Sequence, residues 1–99
     1  MELPYYAVIF TSIKTDATEG YDEMAMKMVN LAQQQDGFLG VESARNEIGI
    51  TVSYWKDLTA IKNWKQNLEH LEAQEKGIKS WYKKYTVRIA LVEREYRFG

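Results

Sequence analysis

Hydrophobic positions along this chain switch period repeatedly, and each switch marks an element. Tyr5 to Ile13 is dense in aromatic and β-branched residues and predicts a first strand. Thr15 to Glu19 is polar and reads as a turn. Tyr21, Met24, Ala25, Met28, Val29 and Ala32 then recur at helical spacing, with Asp22 and Glu23 in the first turn, where carboxylates suit the helix dipole. Asp36-Gly37 is the expected end of that helix, glycine supplying a left-handed cap without steric cost. Phe38 to Arg45 and Ile50 to Trp55 predict two strands joined by the short turn Asn46 to Gly49, the first of them a partly exposed edge. Asp57 is a natural N-cap for a second helix whose apolar stripe runs Leu58, Ile61, Trp64, Leu68 and Leu71. Gly77 interrupts it; Ile78, Trp81, Tyr82 and Tyr85 read as another short helical stripe, and Thr86 to Phe98 as a long last strand.

The order β-α-β-β-α-β predicts an α+β, ferredoxin-like sheet with helices on one face and strands one and three at its centre. Strand one puts Tyr6, Val8 and Phe10 on one face and Tyr5, Ala7, Ile9 and Ile13 on the other. A sheet with one face in water alternates apolar with polar. Here both faces are apolar, so something covers the second, and a second copy of the same sheet is the simplest cover. In the last strand Val87, Ile89 and Leu91 share one side, whereas further on the apolar positions Val92, Tyr96 and Phe98 are of the opposite parity. Such a change signals a bulge or a change of environment.

Composition sharpens this picture. A chain of 99 residues makes one domain, marginal alone unless stapled or associated. It has no cysteine, which excludes disulfides, thiolate metal sites and cysteine nucleophiles and leaves oligomerisation as the remaining stabiliser. Thirteen basic and 14 acidic side chains are interspersed, with a net charge of -1, so no footprint for nucleic acid or an anionic membrane is present. Glu2 stands where a leader's basic region belongs, and the apolar run from Tyr5 to Phe10 is too short for a signal or spanning segment. A cytoplasmic protein is expected.

The segments GYDEMAMKM, DGFLGVESAR, GITVSYWKDLTAIKNWKQNLEHLEAQEKG and SWYKKYTVRIALVEREY cover nearly the whole chain. In them the sequence resembles the antibiotic biosynthesis monooxygenase family, of the dimeric α/β barrel superfamily. The resemblance implies two ferredoxin-like units packed sheet to sheet, with a pocket between sheet and helices in each. It also implies oxygenation of a small aromatic or quinol-type substrate with no metal, flavin or other cofactor. The superfamily also contains haem-degrading proteins, isomerases and proteins without a reaction, and fold alone does not transfer chemistry.

Candidate residues lie on the second helix. His70 is the only histidine, and the only side chain that normally titrates near neutrality. Asn63, Asn67, His70 and Gln74 form a polar ridge beside the apolar stripe. Either the ridge lines a pocket, with His70 as base or anion stabiliser and Asn67 and Gln74 as secondary contacts, or it is a solvated helix flank. Trp64 is either a pocket wall suited to a flat substrate or core packing. Ser12, Ser43 and Ser53 sit among apolar strand residues and need partners, either a substrate hydroxyl or, as expected first, neighbouring backbone. Arg88, a cation in an apolar strand, must pair or reach solvent; an interface ion pair, with Glu42 and Glu69 as candidate partners, is expected ahead of substrate binding.

No Ser-His-Asp spacing or glycine-rich phosphate loop is present. A metal site is disfavoured by the single histidine. The haem-degrading relatives carry an iron-ligating histidine ten residues beyond the tryptophan that Trp64 resembles, and an asparagine on strand one. Here that position is Gln74 and strand one has no asparagine, which ranks haem binding as the alternative. A third reading is a non-catalytic dimeric module that binds a small molecule.

Overall fold

Asp57 does what the sequence predicts. Its Oδ1 accepts a hydrogen bond from the Ala60 amide at 2.8 Å, capping the helix that follows. The computed structural model describes residues 2–74 and 78–99. In chain order the elements are β1 (Tyr5–Lys14), α1 (Tyr21–Gln33), β2 (Phe38–Arg45), β3 (Gly49–Trp55), α2 (Leu58–Gln74), a 3-10 turn (Ile78–Trp81) and β4 (Tyr82–Val92). The four strands form one antiparallel sheet in the order β2-β3-β1-β4. This is the expected ferredoxin-like α+β architecture, with β1 and β3 central.

Residues opposite each other in an antiparallel ladder share a face. The helix-side face therefore carries Tyr6, Val8, Phe10 and Ser12 of β1, with Trp55, Ser53, Thr51 and Gly49 of β3. From β4 it carries Leu91, Ile89, Val87 and Tyr85. Trp55 is fully buried there beneath Ala60, Ile61 and Trp64 of α2, with Ala32 of α1 in the same cluster. A second cluster at the other end joins Met24 and Trp81 to Tyr21, Met28, Leu71 and Tyr82. The outer face carries Tyr5, Ala7, Ile9 and Ile13 beside Tyr54, Val52 and Ile50, as the two parities of β1 predict. Among the described residues no helix is long and apolar enough to cross a membrane.

Four expectations change. β4 begins at Tyr82 and ends at Val92, where Thr86 to Phe98 was expected. Val92 pairs with Tyr5, and the residue before Tyr5 is Pro4, which has no N–H to continue a ladder. The parity change beyond Val92 is thus the end of the strand. The bulge lies at its start: pairing shifts between Ile13 and Lys14, so that Tyr82 faces Lys14 while Tyr85 faces Ser12. Tyr82 and Tyr85, three apart, consequently lie on the same face.

In α1, Val29 lies on the outer side at 36% exposure, and Leu31 packs on the core in its place. Leu58, expected on the stripe of α2, is 53% exposed. Gly37 does have a left-handed φ of 88°, but the helix has already ended at Gln33 with Gln34 as its cap. The glycine instead serves the turn into β2, where an added Cβ would lie 2.7 Å from that of Ala60. Gly77, the expected break in the second helix, lies outside the described residues.

Candidate functional site

The helices do not cover the whole of their side of the sheet. Among the described residues, core packing reaches across β2, β3 and β1, and α2 meets β4 at the start of that strand, where Leu71 and Tyr82 join one cluster. Tyr85, Val87, Ile89 and Leu91 point to the helix side and yet remain 46 to 54% exposed. They form an open apolar row with Phe10, on which Tyr85 stacks at 5.3 Å between ring centroids. Four apolar side chains in a line, half exposed beside a hydrophobic core, make the floor of an open trough.

One end of this trough is polar and cationic. The β4 bulge turns Tyr82 inward, edge-on to Phe10 at 5.5 Å and to Tyr21 of α1 at 6.3 Å. Burial, reinforced by Tyr21 and by the nearby Glu72 carboxylate, pushes the Tyr82 pKa well above the ordinary tyrosine value. Lys14 Nζ sits 3.7 Å from the centre of the Tyr21 ring, and the Arg45 guanidinium lies 5.8 Å from the same ring. Arg45 folds back across Gly49 and donates from Nη2 to Ser12 Oγ, a hydroxyl only 3% exposed. A side chain at position 49 would collide with that guanidinium. No described carboxylate forms an ion pair with Lys14 or Arg45.

The residues singled out from the sequence lie elsewhere. Trp64 is 8% exposed and stacks on Trp55, with centroids 5.8 Å apart and planes 25° from parallel, so it is part of the core. Asn67 is exposed; its Nδ2 donates to the Asn63 carbonyl at 2.9 Å and to Gln35 Oε1 at 3.2 Å, linking α2 to the segment that follows α1. His70 is exposed on the same flank. Gln74 ends α2, and its side chain lies outside the described residues. The flank with Asn67 faces the α1 side, whereas Glu72, beside Tyr82, projects from the opposite flank, which is the side of the trough.

The serines differ from expectation too. Ser12 accepts from Arg45 and Ser53 from Trp55 Nε1 at 2.9 Å, side chains in both cases rather than backbone. Arg88 is exposed on the outer face opposite Ile9, and the Glu42 carboxylate accepts from the Tyr54 hydroxyl at 3.3 Å. Among the described residues no three His, Asp or Glu side chains gather to hold a metal ion. Lys14, Tyr21, Arg45 and Tyr82 are what sequence reasoning missed. The one available signal was a glycine four residues after an arginine across a hairpin, which leaves room for the guanidinium to fold inward.

A family model described as antibiotic biosynthesis monooxygenase matches residues 4–76. The uncharacterized protein YqjZ of Bacillus subtilis (strain 168) is 52% identical over 99 residues, covering 98% of this chain and 87% of its own length. Among solved structures, SnoaB from Streptomyces nogalater, described as a cofactor-independent oxygenase, aligns with a TM-score of 0.68 at 13% identity. That alignment spans 95% of this chain and 96% of SnoaB. A protein from Shewanella oneidensis aligns with a TM-score of 0.73 at 8% identity, over 91% of this chain and 92% of its own. At such identities these two likenesses concern the fold.

Proposed function

The chain belongs to the antibiotic biosynthesis monooxygenase family, and on that premise we propose that it is a cofactor-independent oxygenase of a small aromatic or quinol-type substrate. The observation that carries the reading is the open apolar row Tyr85, Val87, Ile89 and Leu91 on the helix side of the sheet. A flat electron-rich ring laid on that row would bury apolar surface on both partners, at roughly 25 cal/mol per Å². Once deprotonated, such a phenol or anthrone can pass an electron to O2 directly. The protein then binds, orients and holds the anion.

Oxygen uptake with a panel of quinols and anthrones tests the reading. At least one member should be consumed tenfold faster than in buffer, and no acceleration by any of them would leave the binding-module alternative. His70 as base, with Asn67 and Gln74 as contacts and Trp64 as a wall, stays a proposal. Turnover by His70→Ala decides it: a tenfold loss supports the base, and an unchanged rate removes it. Haem binding has no specific observation in its favour.

The proposal includes a homodimer packed through the outer face. That face has an apolar centre, Ala7, Ile9, Val52 and Ala90, and charged ends. One row across the sheet reads Arg88, Ile9, Val52, Glu42, with the cation on one edge strand and the carboxylate on the other. With the two-fold axis along the strands the row is reversed in the second copy, so Arg88 would meet Glu42 of the partner subunit.

A further inference from the structure

We propose that the Lys14–Arg45 end of the trough is an oxyanion-recognition site, and that the ligand is an aromatic molecule carrying an ionised carboxylate or phenolate. This rests on the trough being the ligand site. It goes further by naming the charge the ligand must bear and the residues that read it.

Three observations converge. First, two cations from different strands, Lys14 of β1 and Arg45 of β2, gather at the Tyr21 ring with no described carboxylate in ion-pair contact with either. Cations at a protein surface ordinarily spread into water or pair with acids; these two are drawn instead to one aromatic ring, where an anion can be met from two strands.

Second, Arg45 is held in place. Its guanidinium lies in the space left by Gly49 and donates to the buried Ser12 hydroxyl, leaving its remaining N–H groups free of that bond. An arginine on an exposed edge strand gains nothing in solubility from folding inward. It does gain a fixed fork, the geometry that matches a carboxylate.

Third, the site is continuous with the apolar floor. Phe10 touches both Tyr82 and Tyr85, and Tyr85 begins the row that runs through Val87 to Leu91. Tyr82, held neutral by its burial and by Tyr21, keeps a phenolic O–H at the junction. Among the described residues, the Glu72 carboxylate acts on Tyr82 and forms no ion pair with either cation. A ring on the floor thus carries its anionic oxygen toward Arg45 and Lys14.

Calorimetric titration with matched probe pairs tests this without turnover. 2-Naphthoate is compared with 2-naphthamide for a carboxylate, and 4-nitrophenolate with 4-nitroanisole for a phenolate. At least one anion should bind tenfold or more tightly than its neutral partner, the preference should shrink with added salt, and Arg45→Met with Lys14→Met should abolish it while the neutral probe binds as before. Anion and neutral probe binding equally in both pairs overturns the oxyanion site and leaves the trough standing, as does a preference that survives the double substitution. If no probe binds, the trough reading itself fails and this inference with it. Circular dichroism of the variants excludes loss of fold.

Discussion

Trp64 lies stacked on Trp55, ring centres 5.8 Å apart, and this pair joins α2 to the centre of the sheet. Trp55 is completely buried and Trp64 nearly so. A buried tryptophan removes about 150–250 Å² from water, worth about 4–6 kcal/mol by area. A domain of this size has little more than that to spare. Trp64→Ala should lower stability by about 3–5 kcal/mol in urea denaturation, close to unfolding the chain, and Trp64→Phe should lose markedly less. A Trp64→Ala protein with unchanged stability would place the ring at a ligand pocket rather than in the core.

Gly37 is a second position where the fold tolerates little change. Its φ of 88° disfavours any side chain, and a methyl there would press on Ala60 and on the Lys56 side chain. Gly37→Ala should cost about 1–3 kcal/mol, read as a shift in the urea midpoint at constant slope.

Removing the α2 cap is a milder test of the same packing. Asp57→Ala leaves the Ala60 amide without its acceptor and should cost about 1 kcal/mol. Asp57→Asn or Asp57→Ser should recover most of it.

The half-buried Tyr82 sets an alkaline limit. Tyr82 has a raised pKa in the folded chain, because burial, then Tyr21, disfavour its phenolate. The folded state therefore holds a proton that the unfolded chain releases near pH 10. Its contribution is present below that pH and falls as pH rises above it. Stability should decline with pH in that alkaline range, and Tyr82→Phe should flatten the decline relative to the parent. An identical alkaline slope in both would contradict the burial of this hydroxyl.

The outer-face row makes the dimer testable by charge exchange. Arg88→Glu should weaken self-association measured by sedimentation, and adding Glu42→Arg should restore it. Ile50→Glu, at a side chain 45% exposed in the single chain, should also give monomers while leaving the fold intact. Wild-type protein that is monomeric at micromolar concentration would refute the dimer outright.

Much of this fold is written in local pattern. The two parities of β1, the stripe Ile61-Trp64-Leu68 and the Asp57 cap all follow from spacing within one element, so the sequence predicts them directly. Val29 and Leu31 show the limit of that reading. A helical stripe is about a third of a turn wide, and which neighbouring residue falls inside it depends on how the helix sits on the sheet.

The trough was legible only in part. Val87, Ile89 and Leu91 were seen to share a side, but that this side faces the helices yet escapes their cover depends on tertiary placement. Its cationic end was not legible at all. Tyr82 reaches Tyr21 only through a one-residue bulge, and Arg45 reaches Ser12 only because residue 49 lacks a side chain. Both are register effects between segments distant in sequence. The polar ridge at Asn63, Asn67 and His70 had regular spacing but turns to the α1 side, and helical spacing alone does not say which flank faces a cavity.

The account turns on where a flat aromatic ligand binds, and amide chemical-shift mapping reads that location directly. Isotope-labelled protein titrated with 2-naphthoate should show its largest perturbations at Phe10 and at Tyr82 to Leu91, with Arg45 and Lys14 among the responders. Perturbations confined to the α1-side flank at Asn63, Asn67 and His70, or to the outer face at Ile9, Val52 and Tyr54, would contradict it.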